Sequence, residues 1–153
     1  MKQRINYSKS APEALGGIME MEKYAASILE MSLIELVKLR ASQINGCAFC
    51  IDMHTKDART AGETEQRLYT LSVWRETPFY SEKEKAALEW TEALTLISEN
   101  DVPDTVYTAV REHFEEEELI ALTICINAIN SWNRLAISFR TPVGTYQPAK
   151  GKI

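Results

Sequence analysis

No segment of this chain alternates apolar and polar residues with the period of two that is typical of a half-buried β-strand. The apolar residues instead recur at spacings of three and four, as between Leu33, Leu36 and Val37, which indicates amphipathic helices. Glycine and proline, which interrupt regular structure, are sparse at six and five residues. We therefore predict an all-α fold, a helical bundle without a β-sheet.

Local signals divide the chain into about six to seven helices. A serine followed three residues later by a glutamate is typical of a helix start, and such pairs begin at Ser10, Ser32 and Ser81. The predicted helices cover, approximately, residues 10–31, 32–44, 47–61, 64–75, 81–98, 101–114 and 115–139. From about residue 141 the periodicity ends, and we expect an extended tail that packs on a neighbouring subunit. Residues 1–153 together have the length of a single domain.

Charge and hydropathy exclude several classes of partner. The chain has 22 acidic and 17 basic residues and a net charge of −5, which argues against binding to nucleic acid. Its most apolar stretch, residues 119–137, is interrupted by three asparagines and an arginine and is unsuited to crossing a membrane. The N-terminus lacks the apolar segment of a signal peptide. We therefore expect a cytoplasmic protein whose cysteines lie in a reducing compartment.

Three chemically reactive residues lie close together near the start of the third predicted helix. Cys47 and Cys50 are three residues apart, and His54 follows four residues later. Residues at these spacings share one face of a helix, so we expect the three side chains to project in one direction. The two sulfurs can then form a disulfide without unwinding the helix. A cysteine at a helix start ionises readily and histidine exchanges protons near neutral pH, so the sequence predicts a reactive dithiol with an acid–base partner.

Two other interpretations of these residues stay open at this point. The cysteines could be small core residues without a chemical role, as we expect for Cys125 among the leucines and isoleucines of the last predicted helix. Alternatively, Cys47, Cys50 and His54 could supply three ligands of a zinc ion, with Glu35 or water as the fourth. Such a site would make the protein a non-enzymatic zinc-binding or scaffold module.

The combination of Glu35, Cys47-x-x-Cys50 and His54 resembles the signature of the AhpD-like alkylhydroperoxidases, within the carboxymuconolactone decarboxylase superfamily. Glu35 precedes Cys47 by twelve residues and His54 follows Cys50 by four, as in that family's pattern. The resemblance covers about residues 15–100 and includes the segment Lys-Leu-Arg-Ala-Ser-Gln-Ile-Asn-Gly before Cys47. It implies an AhpD-like helical bundle that assembles into a homo-oligomer, a trimer or a hexamer.

The resemblance further implies a thiol-dependent peroxidase. In the family the second cysteine is peroxidatic, which corresponds to Cys50, and the first is resolving, which corresponds to Cys47. Glu35 and His54 correspond to the family's proton relay, which deprotonates the attacking thiol. The substrate would be a hydroperoxide and the reductant a dithiol, for instance on a lipoyl-bearing protein. No metal or organic cofactor would be required.

Several observations keep alternatives to this function open. Some family members carry a further histidine between the two cysteines, where this chain has Ala48 and Phe49. A general disulfide oxidoreductase is therefore an alternative, and a lactone decarboxylase-like enzyme is the alternative within the superfamily. Glu35 also has a purely local interpretation, because it stands at the third position of the capping pair that begins at Ser32.

A line of polar residues runs through the otherwise apolar last helix. Asn127, Asn130 and Asn133 recur at a spacing of three, with Trp132 and Arg134 close by. Such a line could border the active site, or it could provide hydrogen bonds at a subunit interface. We regard the interface as the better interpretation.

Overall fold

The computed structural model describes residues 2–148, and these form helices and loops without a strand. Its α-helices are α1 (Tyr7–Ser10), α2 (Gly16–Ile28), α3 (Met31–Asn45), α4 (Ala48–Thr60), α5 (Glu65–Thr70), α6 (Glu82–Thr95), α7 (Ile97–Asn100), α8 (Asp104–Arg111) and α9 (Glu116–Phe139). Two 3-10 helices, Pro12–Leu15 and Leu71–Glu76, precede α2 and follow α5. Within the described range, no helix is both long enough and apolar enough to cross a membrane.

The fold is all-α, but the prediction of about six to seven helices is wrong, since residues 2–148 contain nine α-helices. The helix predicted over residues 81–98 ends at Thr95, because Leu96 leaves helical backbone angles (φ −105°, ψ 34°) before α7 begins. The helix predicted over residues 64–75 changes from α to 3-10 geometry at Leu71. Such breaks nearly preserve the apolar periodicity, so a sequence pattern shows one helix where the structure has two.

Only one of the three predicted serine–glutamate pairs caps a helix. Ser81 and Glu84 form a reciprocal capping box at the start of α6. Ser10 is the last residue of α1 and does not begin the next helix. Because α3 begins one residue before Ser32, Glu35 lies within the helix, and its interpretation as a capping residue is wrong.

Helix α3 lies at the centre of the bundle and contacts α4, α6 and α9, while α9 also packs along α2. Apolar side chains mainly of α2, α3, α6, α8 and α9 form the largest core cluster, which includes the buried residues Ile34, Val37, Leu122 and Ile126. A smaller cluster lies where the turn between α3 and α4 meets α9, and it consists of Ala41, Cys47, Cys50, Ile129 and Ala136. Helices α3 and α9 therefore both pack against the cysteine pair.

The described part of the predicted tail packs on its own chain, where we expected a neighbouring subunit. Residues 141–148 contain no helix. The backbone N–H of Gly144 donates to Asp52 Oδ2 at 3.2 Å, and Lys56 Nζ donates to the carbonyl oxygen of Tyr146 at 3.1 Å. These contacts hold the tail against α4. Residues 149–153 of the predicted tail lie outside the described residues.

The packing of α9 can be tested by substitution. Leu122 is fully buried in the largest cluster, whereas Ile120 on the same helix is 56% exposed. We expect Leu122→Ala to lower the free energy of unfolding by about 2–5 kcal/mol, because it removes buried methyl groups and leaves a cavity. Ile120→Ala should change it by about 0.5 kcal/mol or less, as most surface substitutions do. Urea denaturation measures both values, and equal losses would contradict this packing.

Candidate active site

The turn between α3 and α4 positions both cysteines. Gly46 adopts a left-handed conformation (φ 68°) that ends α3, and only glycine does so at little cost. Cys47 is the N-cap of α4 with extended backbone angles, and Cys50 lies in the first turn of that helix. The helix start predicted at or near Cys47 is therefore confirmed.

Cys47 and Cys50 form a disulfide in this structure. Their Cα atoms are 5.4 Å apart, within the range that a disulfide spans, and α4 begins directly after Cys47 without a break. Both residues are buried among small and branched side chains of α3 and α9, namely Ala41, Ile129 and Ala136. The pairing agrees with what the spacing of three residues predicts.

His54 and Glu35 form a buried pair between α4 and α3. The distance between His54 Nδ1 and Glu35 Oε2 is 2.8 Å, and the two residues are only 4% and 7% exposed. The other ring nitrogen, Nε2, is buried and has no hydrogen-bond partner among residues 2–148. When the neutral imidazole donates its Nδ1–H to Glu35, Nε2 is left as a proton acceptor. The structure thus brings together the two residues that the resemblance assigns to a proton relay.

Cys50, His54 and Glu35 line one pocket with a volume of about 420 Å³. Most of its other lining residues are apolar or aromatic: Tyr7, Met19, Phe49, Met53, Trp132, Ala136 and Tyr146. Cys47, by contrast, lines a separate groove that shares Phe49 with this pocket. Of the three side chains predicted to share one direction, Cys50 and His54 line this pocket, whereas Cys47, which precedes the first residue of α4, does not.

Asp57 and Tyr146 add a second polar pair to this pocket, which the sequence analysis missed. The Tyr146 hydroxyl donates to the two carboxylate oxygens of Asp57 at 2.7 and 2.9 Å. Burial, and after it the hydrogen bond to Asp57, raises the pKa of Tyr146 to about 12, so the hydroxyl stays protonated. Asp57 follows Cys50 by seven residues and could have been found by helical periodicity, but Tyr146 lies in the aperiodic tail, where no sequence signal indicates it.

A partly buried ion pair, Lys38 and Glu22, also lines the pocket and was not predicted. Lys38 Nζ donates to one carboxylate oxygen of Glu22, and Trp132 Nε1 donates to the other at 3.1 Å. Burial is the largest single influence and lowers the pKa of Lys38, but the charge of Glu22, the hydrogen bond to it and the nearby Cys125 and Glu35 together raise the pKa overall. Lys38 therefore stays cationic and paired at neutral pH.

Two of the ligands suggested for zinc are engaged in the disulfide of this structure. Zinc is bound by thiolates, whereas the sulfurs of Cys47 and Cys50 are here bonded to each other. Glu35, His54 and Asp57 could hold a metal ion, since their ligand atoms lie within 4.8 Å of one another. The contacts described above already occupy two of these residues, because Glu35 binds His54 and Asp57 accepts from a tyrosine hydroxyl.

The remaining residues singled out from the sequence have structural roles. Cys125 is fully buried, and burial raises the pKa of its thiol to about 12, which agrees with the inert core thiol that we predicted. Asn130 and Asn133 each accept a hydrogen bond from Asn45 Nδ2, at 2.9 and 2.8 Å. These two asparagines join α9 to the end of α3, and neither lines the pocket. Asn127 is exposed.

Comparison with known proteins places these residues in one family. A model of the carboxymuconolactone decarboxylase family matches residues 12–93, which include both cysteines, His54 and Glu35. The chain is 55% identical over 139 residues to the uncharacterized protein YdfG of Bacillus subtilis (strain 168), a match that covers 90% of this chain and 95% of that protein. It is 30% identical over 104 residues to the uncharacterized protein YnjA of Escherichia coli (strain K12), covering 68% of this chain and 57% of that protein.

Solved structures share the fold. A protein of unknown function from Agrobacterium tumefaciens, proposed to be an antioxidant defence protein AhpD, superimposes with a TM-score of 0.90 at 49% identity and covers 95% of this chain and 100% of its own. A peroxidase-related protein with an AhpD core from Ralstonia eutropha JMP134 gives a TM-score of 0.75 at 16% identity over 90% of this chain and 74% of its own, which shows the fold alone. The chain therefore belongs to the carboxymuconolactone decarboxylase family and has its AhpD-like all-α fold.

Proposed function

We propose that this protein is a thiol-dependent peroxidase that reduces organic hydroperoxides with the Cys47–Cys50 pair. The observation that carries the proposal is the position of Cys50, which is disulfide-bonded to Cys47 and lines the same pocket as the buried His54–Glu35 pair. A dithiol that can cycle to a disulfide beside a proton acceptor has the parts that a peroxide reduction needs.

The first chemical step is the oxidation of Cys50. His54 Nε2 accepts the thiol proton, and Glu35, bound to Nδ1, stabilises the imidazolium that forms. The Cys50 thiolate attacks the terminal oxygen of the hydroperoxide, and the O–O bond breaks. The products are a sulfenic acid on Cys50 and an alkoxide, which takes the proton from His54 and leaves as an alcohol.

The second step forms the observed disulfide. The Cys47 thiol condenses with the Cys50 sulfenic acid, which forms the S–S bond and releases water. The backbone already holds the two residues 5.4 Å apart at Cα, so this step needs no unwinding of α4. Two thiols of a reductant then restore the pair. The proposal includes a dithiol reductant, for which the family resemblance suggests a lipoyl-bearing protein, and a homo-oligomeric assembly.

The lining of the pocket favours a particular kind of hydroperoxide. Apolar and aromatic side chains form most of the surface that a substrate would contact near Cys50. Burial of an alkyl or aryl group there contributes about 25 cal/mol per Å² of apolar surface, which hydrogen peroxide cannot gain. We therefore expect organic hydroperoxides to react faster than hydrogen peroxide.

Stopped-flow oxidation of the reduced protein tests this function. Trp132 packs against the cluster that holds both cysteines, so tryptophan fluorescence should report the oxidation. With cumene hydroperoxide we expect two protein thiols to be lost for each alcohol formed. The rate constant should be about 10²-fold or more above that of a free thiol at the same pH, the effect of general base catalysis.

The alternative to this function is a general disulfide oxidoreductase, which would use the same cysteine pair without a peroxide. That protein would exchange rapidly with small disulfides, while its reaction with cumene hydroperoxide would be no faster than that of a free thiol. This combination of results would contradict the peroxidase proposal.

A further inference from the structure

The two cysteines of the disulfide line different cavities, although both are almost fully buried (Cys47 0% and Cys50 1% exposed). Cys50 lines the pocket that contains His54, whereas Cys47 lines a groove of about 650 Å³. Phe49 and Ala136 line both cavities, so the two adjoin at these residues. A molecule in the groove would lie beside Cys47 without passing through the proposed hydroperoxide pocket.

The charged residues of the two cavities have opposite signs. The pocket is lined by three carboxylates and one lysine, namely Glu22, Glu35, Asp57 and Lys38. The charged residues lining the groove are Arg4 and Arg140, and no carboxylate lines it within the described part of the chain. Neither arginine has a carboxylate oxygen within 4.0 Å among residues 2–148, although the whole chain carries a net charge of −5.

Two polar side chains at the groove add to its character. Thr141 lines it, and its hydroxyl oxygen is buried without a hydrogen-bond partner among the described residues. Arg4 is held in place, because its Nη1 donates to the carbonyl oxygen of Ser138 at 3.0 Å, which leaves the other guanidinium donors available. Guanidinium groups bind carboxylates with favourable geometry.

We propose that this groove is the site where an anionic thiol reductant, one that carries a carboxylate, binds and attacks Cys47. The proposal rests on the proposed redox cycle, and it adds the chemical class of the reductant and the sulfur that it attacks. It divides the two half-reactions between the cavities: a neutral hydroperoxide reacts at Cys50, and a negatively charged thiol reacts at Cys47.

The reductive steps balance as follows. The reductant thiolate attacks Cys47 Sγ, a mixed disulfide forms on Cys47, and the Cys47–Cys50 bond breaks with its electron pair on Cys50. A second thiolate attacks the reductant sulfur of the mixed disulfide and releases the oxidised reductant and the Cys47 thiolate. Attack at Cys47 makes Cys50 the leaving group, and its thiolate is stabilised by the first turn of α4, beside His54.

The test compares three small thiols of different charge as reductants of the oxidised protein. They are 3-mercaptopropionate (anionic), 2-mercaptoethanol (neutral) and cysteamine (cationic), each at the same thiolate concentration. We expect Arg140→Glu to slow reduction by 3-mercaptopropionate about three- to tenfold, with a change of about twofold or less for 2-mercaptoethanol and faster reduction by cysteamine. Arg4→Gln removes one positive charge from the same groove and is a milder change. It should also slow reduction by the anionic thiol most and should favour the cationic thiol.

Arg134→Glu is the matched control, because Arg134 is an exposed arginine of α9 that does not line the groove. It should alter the three rates equally and by less than about twofold. If Arg140→Glu and Arg134→Glu have the same effect, or if the effect of Arg140→Glu is independent of thiol charge, the groove is not the reductant site. Acid quenching and mass spectrometry then locate the mixed disulfide, and a majority on Cys50 would also contradict the proposal.

These measurements start from the disulfide and contain no peroxide, so they can fail while the peroxidase proposal stands. Conversely, a protein that does not react with cumene hydroperoxide could still show the charge-dependent reduction through Arg140. The two outcomes are therefore distinguishable.

Discussion

Replacement of Cys50 by serine should reduce hydroperoxide turnover by about three orders of magnitude or more, as expected when a nucleophile is removed. Serine preserves the size of the side chain but supplies no thiolate to attack the O–O bond. Peroxide consumption with dithiothreitol as reductant measures the loss. Cys125→Ala is the control, because this thiol is buried in the core with a pKa raised to about 12, and its removal should leave turnover unchanged per folded molecule.

The Cys47→Ser variant separates the roles of the two cysteines. It should still react once with cumene hydroperoxide at close to the rate of the unmodified protein, and a sulfenic acid should accumulate on Cys50. Dimedone labelling and mass spectrometry detect that species. If the single oxidation instead survives in Cys50→Ser and disappears in Cys47→Ser, the peroxidatic cysteine is Cys47.

Glu35→Gln should slow the oxidation of the reduced protein about 10²-fold or more at neutral pH. Glutamine can still hydrogen-bond His54, but it lacks the negative charge that stabilises the imidazolium after proton transfer from Cys50. The difference in oxidation rate between Glu35→Gln and the unmodified protein should become smaller as the pH is raised, since hydroxide in solution then deprotonates the Cys50 thiol. A pH profile of the stopped-flow rate constant measures both effects.

The pH profile distinguishes this role of Glu35 from a merely structural one. A loss caused by altered packing would be similar at every pH, and such a result would contradict the proton relay. Glu30→Gln is the matched control, because Glu30 is an exposed residue that precedes α3 and lies outside the pocket. Its substitution should leave the oxidation rate unchanged across the same pH range.

The helices around the cysteines could be predicted well because their signals are local. Gly46 ends α3 by its backbone conformation, and Cys47 begins α4 as its N-cap, so the sequence placed that turn correctly. The helix count was wrong because breaks such as that at Leu96 leave the apolar pattern nearly intact. Spacing alone was also misleading for Ser32 and Glu35. They match the pattern of a capping box, although α3 starts before them.

By itself, the sequence determined the chemistry that is possible in this protein. The cysteine pair and His54 lie within one helical segment, where a spacing of three or four residues fixes which side chains are neighbours. The family resemblance added Glu35 from the preceding helix. A redox-active dithiol with an acid–base partner could therefore be predicted before any packing was known.

The surroundings of these reactive residues depend on tertiary packing. Tyr146 binds Asp57 across 89 residues of chain, and Trp132 binds Glu22 across 110, contacts that depend on how the tail and α9 pack against the other helices. The same packing separates the cavity at Cys50 from the groove at Cys47, with carboxylates on one side and arginines on the other. Such contacts arise from the close packing of the whole bundle, so no spacing along the chain could have indicated them.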